Sequence, residues 1–398
     1  MASSLIANSP AVGAASASSP RAAQSTTSSP AAAHASPHST YQAPSPNSPA
    51  DQGTGALEAE EETAGAVAND DQLHVLLHPQ RLNMLTNLGS SAYTASLSSS
   101  VLDYPEQYGR RYHAFRSGAY NIPNDEAEMD RLDLAHTLMT SVIGGKHYLA
   151  PLEQDKIHRI LDVGTGTGIW AMEMGDIFPN AEVIGNDLSA IQPSWLPPNV
   201  KFEIDDVESP WVGTEKYDYI FVRCMLVSIK DWPALVENIF ENLNPGGWVE
   251  FQDLDGLYYS EDGSYNEEHV TRQWNKDILQ ACDIIGRTGC PGPKLEGWVR
   301  DAGFAEISHE KFKIPFGPWP KDPYYKHIGM LNLAQLLRGL EGFSLKLFCD
   351  VLGWTREEVV VLLAQVRKEL QQGVFHAVYD CHVVYAQKPA IEGQSPDA

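Results

Sequence analysis

The stretch RILDVGTGTGIW, residues 159–170, constrains the fold more than any other part of this chain. An apolar run closes on Asp162, glycines alternate at Gly164, Gly166 and Gly168, and a helical pattern, GIWAMEMGDIF, follows at once. Glycine reaches φ > 0 without a Cβ penalty and lets the backbone approach a ligand. Such a run reads as the strand, tight turn and helix of an open α/β sheet, with a ligand at the turn. Three ligands compete for it. A nucleoside triphosphate loop needs G-x-x-x-x-G-K-[ST], and no Lys follows Gly168. The dinucleotide pattern is met in part, by Gly166, Gly168 and Ala171 with Asp187 further on. Asp162 weighs against it, because a carboxylate there faces a pyrophosphate at close range. It suits a cationic ligand instead, and S-adenosylmethionine offers a sulfonium and an amino group with no phosphate.

Ligands of open α/β sheets lie beyond the carboxyl ends of the strands, so the next strand ends carry the rest of the expectation. AEVIGND ends on Asp187, which suits two ribose hydroxyls; VKFEIDD ends on Asp206, with Val207 beside it, which suits the adenine amino group and ring. Each acid has a plainer reading, Asp187 as a helix cap and Asp205 or Asp206 as loop surface. All three strand ends closing on acids is the stronger signal.

Beyond the loop, strand-like and helix-like segments alternate: YDYIFVRCM, then WPALVENIFENL, then GGWVEFQDL. This order predicts a doubly wound parallel α/β sheet. Upstream, apolar positions Met129, Leu132, Leu134, Leu138, Met139 and Val142 recur at helical spacing after Asn124 or Asp125 as N-cap, and Gly144–Gly145 ends the helix. Downstream come helical patterns around residues 267–285 and 293–304, then strand candidates FAEISHEKFKI and HAVYDCHVVYAQK. Residues 313–376 between those strands read as a helical lid insertion over the ligand. The domain reading is therefore a tail (1–75), a linker and helical cap (76–150), a ligand-binding domain (151–390) and a flexible C-terminus (391–398). The tail is almost wholly Ala, Ser, Pro, Thr, Gln and Gly before an acidic cluster, too poor in large apolar groups to offset its ordering entropy, and is expected to be disordered.

The net charge of -24 argues against direct nucleic-acid or anionic-membrane binding. No apolar run is long enough to span a membrane, and the N-terminus has neither a secretory nor an Arg-rich transit pattern, so a cytoplasmic or nuclear location is expected. The five Cys show no zinc spacing and read as reduced thiols; no metal is expected.

ILDVGTGTG, GNDLS, FEIDDVESPW, YDYIFVRCML and LNPGGWVEFQDLD resemble the successive motifs of class I S-adenosylmethionine-dependent methyltransferases. GRRYHAFRSGAYNIPNDEAEMDRLDLAH, IQPSW and HAVYDCHVVYAQKP narrow the resemblance to the fungal LaeA-like methyltransferases, over about residues 104–390. This family includes the secondary-metabolism regulator of the velvet complex and enzymes of metabolite gene clusters. The resemblance implies a seven-stranded sheet whose last strand is antiparallel. It places Asp162, Gly164, Thr165, Gly166 and Gly168 at the methionine moiety, Thr165 standing where many members have Cys. Asp187 and Leu188 fall at the ribose, Asp206 and Val207 at the adenine, and Arg223 with Cys224 behind the sulfonium, with Tyr112 and Arg116 joining the cofactor set from the upstream segment. Methyl transfer from a sulfonium needs a base only when the acceptor is protonated. Asp253 and His113 are the catalytic candidates, with Tyr258, Tyr259 and His327 as further acceptor-handling groups. The expected partner is a small-molecule acceptor. The alternative is a nuclear regulator acting with velvet-type proteins.

Overall fold

A computed structural model describes residues 55–60 and 102–390. After Leu102 comes a short hairpin, β1 (Glu106–Gln107) and β2 (Arg110–Arg111), turned by Tyr108 and Gly109, both at positive φ. Next comes α1 (Glu126–Val142), which Asp125 caps by accepting the Glu128 N–H at 3.1 Å. Gly144 and Gly145, both at positive φ, follow its end as expected.

The sheet then assembles around the glycine loop. Its strands are β3 (Arg159–Val163), β4 (Glu182–Asp187), β5 (Val200–Ile204), β6 (Tyr217–Arg223), β7 (Leu243–Leu254), β8 (Ala305–Pro315) and β9 (Val378–Gln387). Their spatial order is β5-β4-β3-β6-β7-β9-β8. All neighbours are parallel except β9, which runs antiparallel to both β7 and β8. The expected fold class, with seven strands and the last one reversed, is therefore the observed one. Strand order changes direction at β3, which has β4 on one side and β6 on the other. That switch point opens the crevice in which ligands of such sheets lie.

The crossover helices are α2 (Ile169–Ile177) after the glycine loop and α3 (Trp232–Asn242) before β7. After β7 come α4 (Val270–Ile284) and α5 (Leu295–Asp301). The insertion before β9 consists of α6 (Pro323–Lys346), a π-helical turn (Leu347–Val351) and α7 (Arg356–Gln372), the last opened by a Thr355–Glu358 capping box. Lys313 and Ile314, read as the start of the insertion, belong to β8, because their backbones pair with Asp380 and Tyr379. Packing follows apolar content. Trp170 of α2 stacks on Phe221 of β6 at 3.8 Å between ring centroids, whereas α6 buries Ile328, Leu331, Leu336 and Leu340 in a core shared with Leu134, Leu138 and Val142 of α1.

Six residues inside the segment read as a disordered tail are held in place. Ala59 bridges Pro320 in antiparallel fashion, Glu60 N–H donates to the Trp319 carbonyl at 3.0 Å, and Lys321 N–H donates to the Glu58 carbonyl at 2.9 Å. Acid meets base there: Lys326 pairs with Glu60 at 2.6 Å and Lys321 with Glu58 at 3.6 Å. The other residues of the expected tail, linker residues 76–101 and the C-terminus 391–398 lie outside the described residues. Among the described residues, no helix is long and apolar enough to cross a membrane.

Candidate functional site

Gly164, Gly166 and Gly168 all adopt positive φ, at 69°, 56° and 77°. Two of them also have no room for a side chain: a Cβ on Gly164 would overlap the Met225 thioether, and one on Gly168 would overlap the Phe202 ring. The loop is thus wound tightly between β3 and α2, and its shape is set by packing as well as by conformation. Thr165 locks it from within, donating its hydroxyl to Asp162 at 2.6 Å. A Cβ on Gly185 would reach that same hydroxyl, at 2.6 Å, so the neighbouring strand must be glycine there.

Two strand-end acids converge on this turn. Asp162 is buried, and burial pushes its carboxyl up to about 7, against the hydrogen bond from Thr165 and the nearby Arg223 charge. Asp187 accepts the Gly166 N–H at 2.9 Å with one oxygen and the Ser189 N–H at 2.9 Å with the other. Its carboxyl is raised to about 6 by burial, which those N–H groups oppose. Both acids sit where an added positive charge or a pair of hydroxyl donors would be welcome. Leu188, between Asp187 and Ser189, is half-buried, and Val207 is buried. Asp206 already has partners: its oxygens accept the Glu208 N–H at 3.1 Å and the Ser209 hydroxyl at 3.0 Å.

The segment before α1 lies across these strand ends. Tyr104 accepts the Ala190 N–H at 3.1 Å, Asn124 donates to the Ser189 hydroxyl at 3.2 Å, and Arg116 reaches both Asp206 at 3.5 Å and Ser209 at 3.1 Å. Tyr104 and Asn124 escaped the sequence reading as site residues. Their contacts span 86 and 65 residues of chain, a separation on which local pattern is silent.

Deeper in, Cys224 follows β6 at positive φ, its thiol pushed up to about 12 by burial and the Asp253 charge. Asp253 is 1% exposed and accepts backbone N–H groups from Met225 at 2.7 Å and Leu254 at 2.8 Å; burial raises it to about 7. It therefore fastens the loop after β6 to β7. His113 and Tyr112 are buried, and His113 Nδ1 and the Tyr112 hydroxyl have no hydrogen-bond partner among the described residues. Burial, with Lys346 nearby, lowers His113 to about 4, so its imidazole is neutral at neutral pH. Lys346 lies 4.0 Å above the Tyr112 ring.

Arg223 turns from the end of β6 toward α1. Its Nη2 meets His136 Nδ1 at 2.9 Å, His136 Nε2 lies 2.9 Å from Glu173 of α2, and His147 Nδ1 is 3.2 Å from the same Glu173 oxygen. Neither histidine nor Glu173 was singled out in the sequence. The usable signal was polar side chains at inward positions of α1: Glu128, Arg131 and His136 are all buried. Two tryptophans ahead of the lid segment pack into cores. Trp298 stacks on Trp232 of α3, and Trp274 donates to Ser344 at 2.9 Å in the α4–α6 interface.

Comparison with known proteins gives the family. A family model described as a methyltransferase domain matches residues 134–309. The methyltransferase pytC of Aspergillus terreus is 47% identical over 304 residues, 76% of this chain and 94% of its own length. The secondary metabolism regulator LAE1 of Cochliobolus heterostrophus is 36% identical over 287 residues, 71% of this chain and 94% of its own. The chain belongs to the LaeA-like methyltransferases. The probable methyltransferase tdiE of Emericella nidulans is 31% identical to this LaeA-like chain over 300 residues, 75% of this chain and 94% of its own. The activity is methyl transfer and the cofactor is S-adenosylmethionine. The tight turn, with buried Asp162 before it and Asp187 accepting its Gly166 N–H, fits that cofactor.

Proposed function

We propose that this methyltransferase acts on a small, metabolite-sized acceptor. The observation that carries this reading is the covering of the strand ends by the 104–124 segment, which Tyr104, Arg116 and Asn124 tie down to the loops after β4 and β5. A site roofed in this way suits a molecule that can be enclosed better than an extended polymer surface, and the net charge of -24 disfavours nucleic acid further. The similarity to pytC and tdiE, both named methyltransferases, supports the same reading.

In the proposed arrangement, Asp162 and the three loop glycines hold the amino-acid end of the cofactor. Asp187 and Leu188 take the ribose, and Asp206 and Val207 take the adenine, with Arg116 closing over Asp206. Bound S-adenosylmethionine supplies an electrophilic methyl group: the acceptor's lone pair forms the new bond while the carbon–sulfur bond breaks toward sulfur. The chain's part is to align the acceptor and exclude water. Asp253 serves by fixing the loop after β6 to β7 through the Met225 and Leu254 N–H groups, and His113 serves as a neutral hydrogen-bonding wall. Mass spectrometry of a cell extract incubated with isotope-labelled S-adenosylmethionine tests the reading. One labelled small product is expected, and label confined to protein would refute it.

A regulatory role in the cytoplasm or nucleus with velvet-type partners is the second reading, favoured by the 36% identity to a named regulator. Deletion of the gene separates the two: loss of one methylated product supports the enzyme, and loss of many unrelated products supports the regulator.

A further inference from the structure

The row of side chains behind Arg223 has a fixed hydrogen order. A guanidinium carries donors only, so His136 Nδ1, at 2.9 Å from Arg223 Nη2, is the acceptor of that contact. A neutral imidazole then carries its proton on Nε2, the atom that faces Glu173 at 2.9 Å. His147 Nδ1 backs the same carboxylate oxygen at 3.2 Å. The three groups that face His136 are thus Arg223, Glu173 and His147. The imidazole is 6% exposed, and burial keeps it below its ordinary pKa and neutral. Glu173 stays ionised: burial works against it, but the two histidines hold it down to about 2. The donor atoms of His136, His147 and Glu173 lie within 4.8 Å of one another, close enough for a cation. The proton that Arg223 imposes on His136 Nε2 occupies the lone pair a cation would need there.

What the row does is aim Arg223. Four segments contribute to it: β6, α1, the stretch after α1, and α2. The register of the sheet sets Val222 beside Val163, so the next residues along, Arg223 and Gly164, emerge side by side at the glycine turn. Arg223 has no ion pair with any carboxylate among the described residues, in a chain that carries 52 acidic side chains. Asp162, two residues before Gly164 and opposite Phe221 in the register, feels the Arg223 charge. A buried acid and a guanidinium with no carboxylate partner among the described residues, both beside one tight loop, match the two charged groups of a zwitterionic amino acid.

We propose that Arg223 receives the methionine carboxylate of S-adenosylmethionine, and that His136 and Glu173 are positioning residues that hold its guanidinium at the turn. This rests on the assignment of the glycine loop to the cofactor's methionine end, and it adds the carboxylate subsite and its supports.

Isothermal titration with two ligands isolates that subsite: S-adenosylmethionine, and decarboxylated S-adenosylmethionine, which keeps the adenosine, sulfonium and amine. The intact chain should bind the carboxylate-bearing ligand about tenfold tighter, as a charge-assisted pair implies. His136→Ala and Glu173→Gln should bring the two affinities to within about threefold by weakening only the first. His136→Gln, whose side-chain carbonyl can accept the Arg223 N–H, should restore most of the preference. Thermal melting identifies a variant that fails to fold, in which case Glu173→Gln, the mildest change, carries the test. An unchanged preference in His136→Ala and Glu173→Gln, or equal loss of both ligands, overturns the proposal. Wild type binding neither ligand overturns the cofactor reading with it. One equivalent of Zn²⁺ held by wild type and lost in Glu173→Gln would overturn the hydrogen order.

Discussion

Replacing Asp187 by Ala separates two jobs that one carboxylate performs. In the structure its oxygens accept the N–H groups of Gly166 and Ser189, each at 2.9 Å, and so tie the glycine turn to the loop after β4. In the proposed complex the remaining lone pairs take the ribose hydroxyls. Removing the side chain leaves two backbone donors in search of partners, at about 1–3 kcal/mol each when water cannot reach them. Water reaches part of this site, since Asp187 is only half-buried, so a stability loss of about 2 kcal/mol is expected overall. Cofactor binding should weaken by a further 1–3 kcal/mol, or about 5- to 150-fold in Kd. Chemical denaturation reads the first quantity and calorimetric titration with S-adenosylhomocysteine reads the second. The two can be told apart with an analogue lacking both ribose hydroxyls, for which Asp187→Ala should bind nearly as wild type does. An Asp187→Ala protein with undiminished affinity for S-adenosylhomocysteine would refute the ribose assignment. A penalty that persists with the deoxy analogue would show that only the turn was damaged.

Other perturbations test other parts of the molecule. Gly168→Ala places a Cβ against the Phe202 ring at a φ of 77°, which should cost about 2–5 kcal/mol from backbone strain and overpacking; a denaturation midpoint equal to wild type would contradict the tight turn. Asp253→Ala strands the buried N–H groups of Met225 and Leu254 and should lower stability by about 2–5 kcal/mol. If instead Asp253→Asn abolishes turnover while stability is kept, Asp253 is a base and not a clamp. His113 titrates near 4 when folded and near 6.5 when unfolded, so the unfolded chain takes up the proton first and stability falls as pH drops through that window. The fall should approach about 3 kcal/mol near pH 4. Urea melts of wild type and His113→Gln compared at pH 7 and pH 4.5 cancel the opposite contributions of Asp162 and Asp253, and equal slopes would refute the assignment. Deleting residues 1–60 removes the backbone bridge at Pro320 and should cost about 1–3 kcal/mol, visible as a lower Tm; no shift would mean the bridge contributes nothing.

The glycine loop was legible because its constraint is local. Each glycine's positive φ and each strand-end acid can be seen within a few residues, and Asp125 as a helix cap needs only the three residues after it. What stayed hidden depends on which strands become neighbours. Arg223 and His136 are 87 residues apart, and only the β3–β6 pairing with α1 laid alongside brings them together. The acidic stretch at 57–62 read as solvated tail for the same reason: its complement, Lys321 and Lys326, lies more than 250 residues away. The stacking of Trp298 on Trp232 is hidden likewise, because α5 crosses to the face of the sheet where Trp232 lies. The place of Asp253 after a strand and of His113 in YHAFR is legible in the sequence, but their burial is not. Burial and existing partners, which spacing does not encode, decide what such groups are free to do.

The position of β9 also governs the order in which the molecule can come together. This strand begins at Val378 and lies between β7 and β8, and it is the sole partner of β8 in the sheet. During synthesis, β3 to β7 and the glycine turn emerge with neighbours already available. β8 must wait, unpaired along both edges, while the 62 residues from Phe316 to Ala377 are made. Sequence-distant pairing of this kind is slow to form and leaves strand edges open to other chains. A ribosome halted before residue 378 would therefore hold a nearly complete cofactor crevice beside an adhesive, unfinished edge, and the last few strand residues decide whether the chain becomes an enzyme or an aggregate.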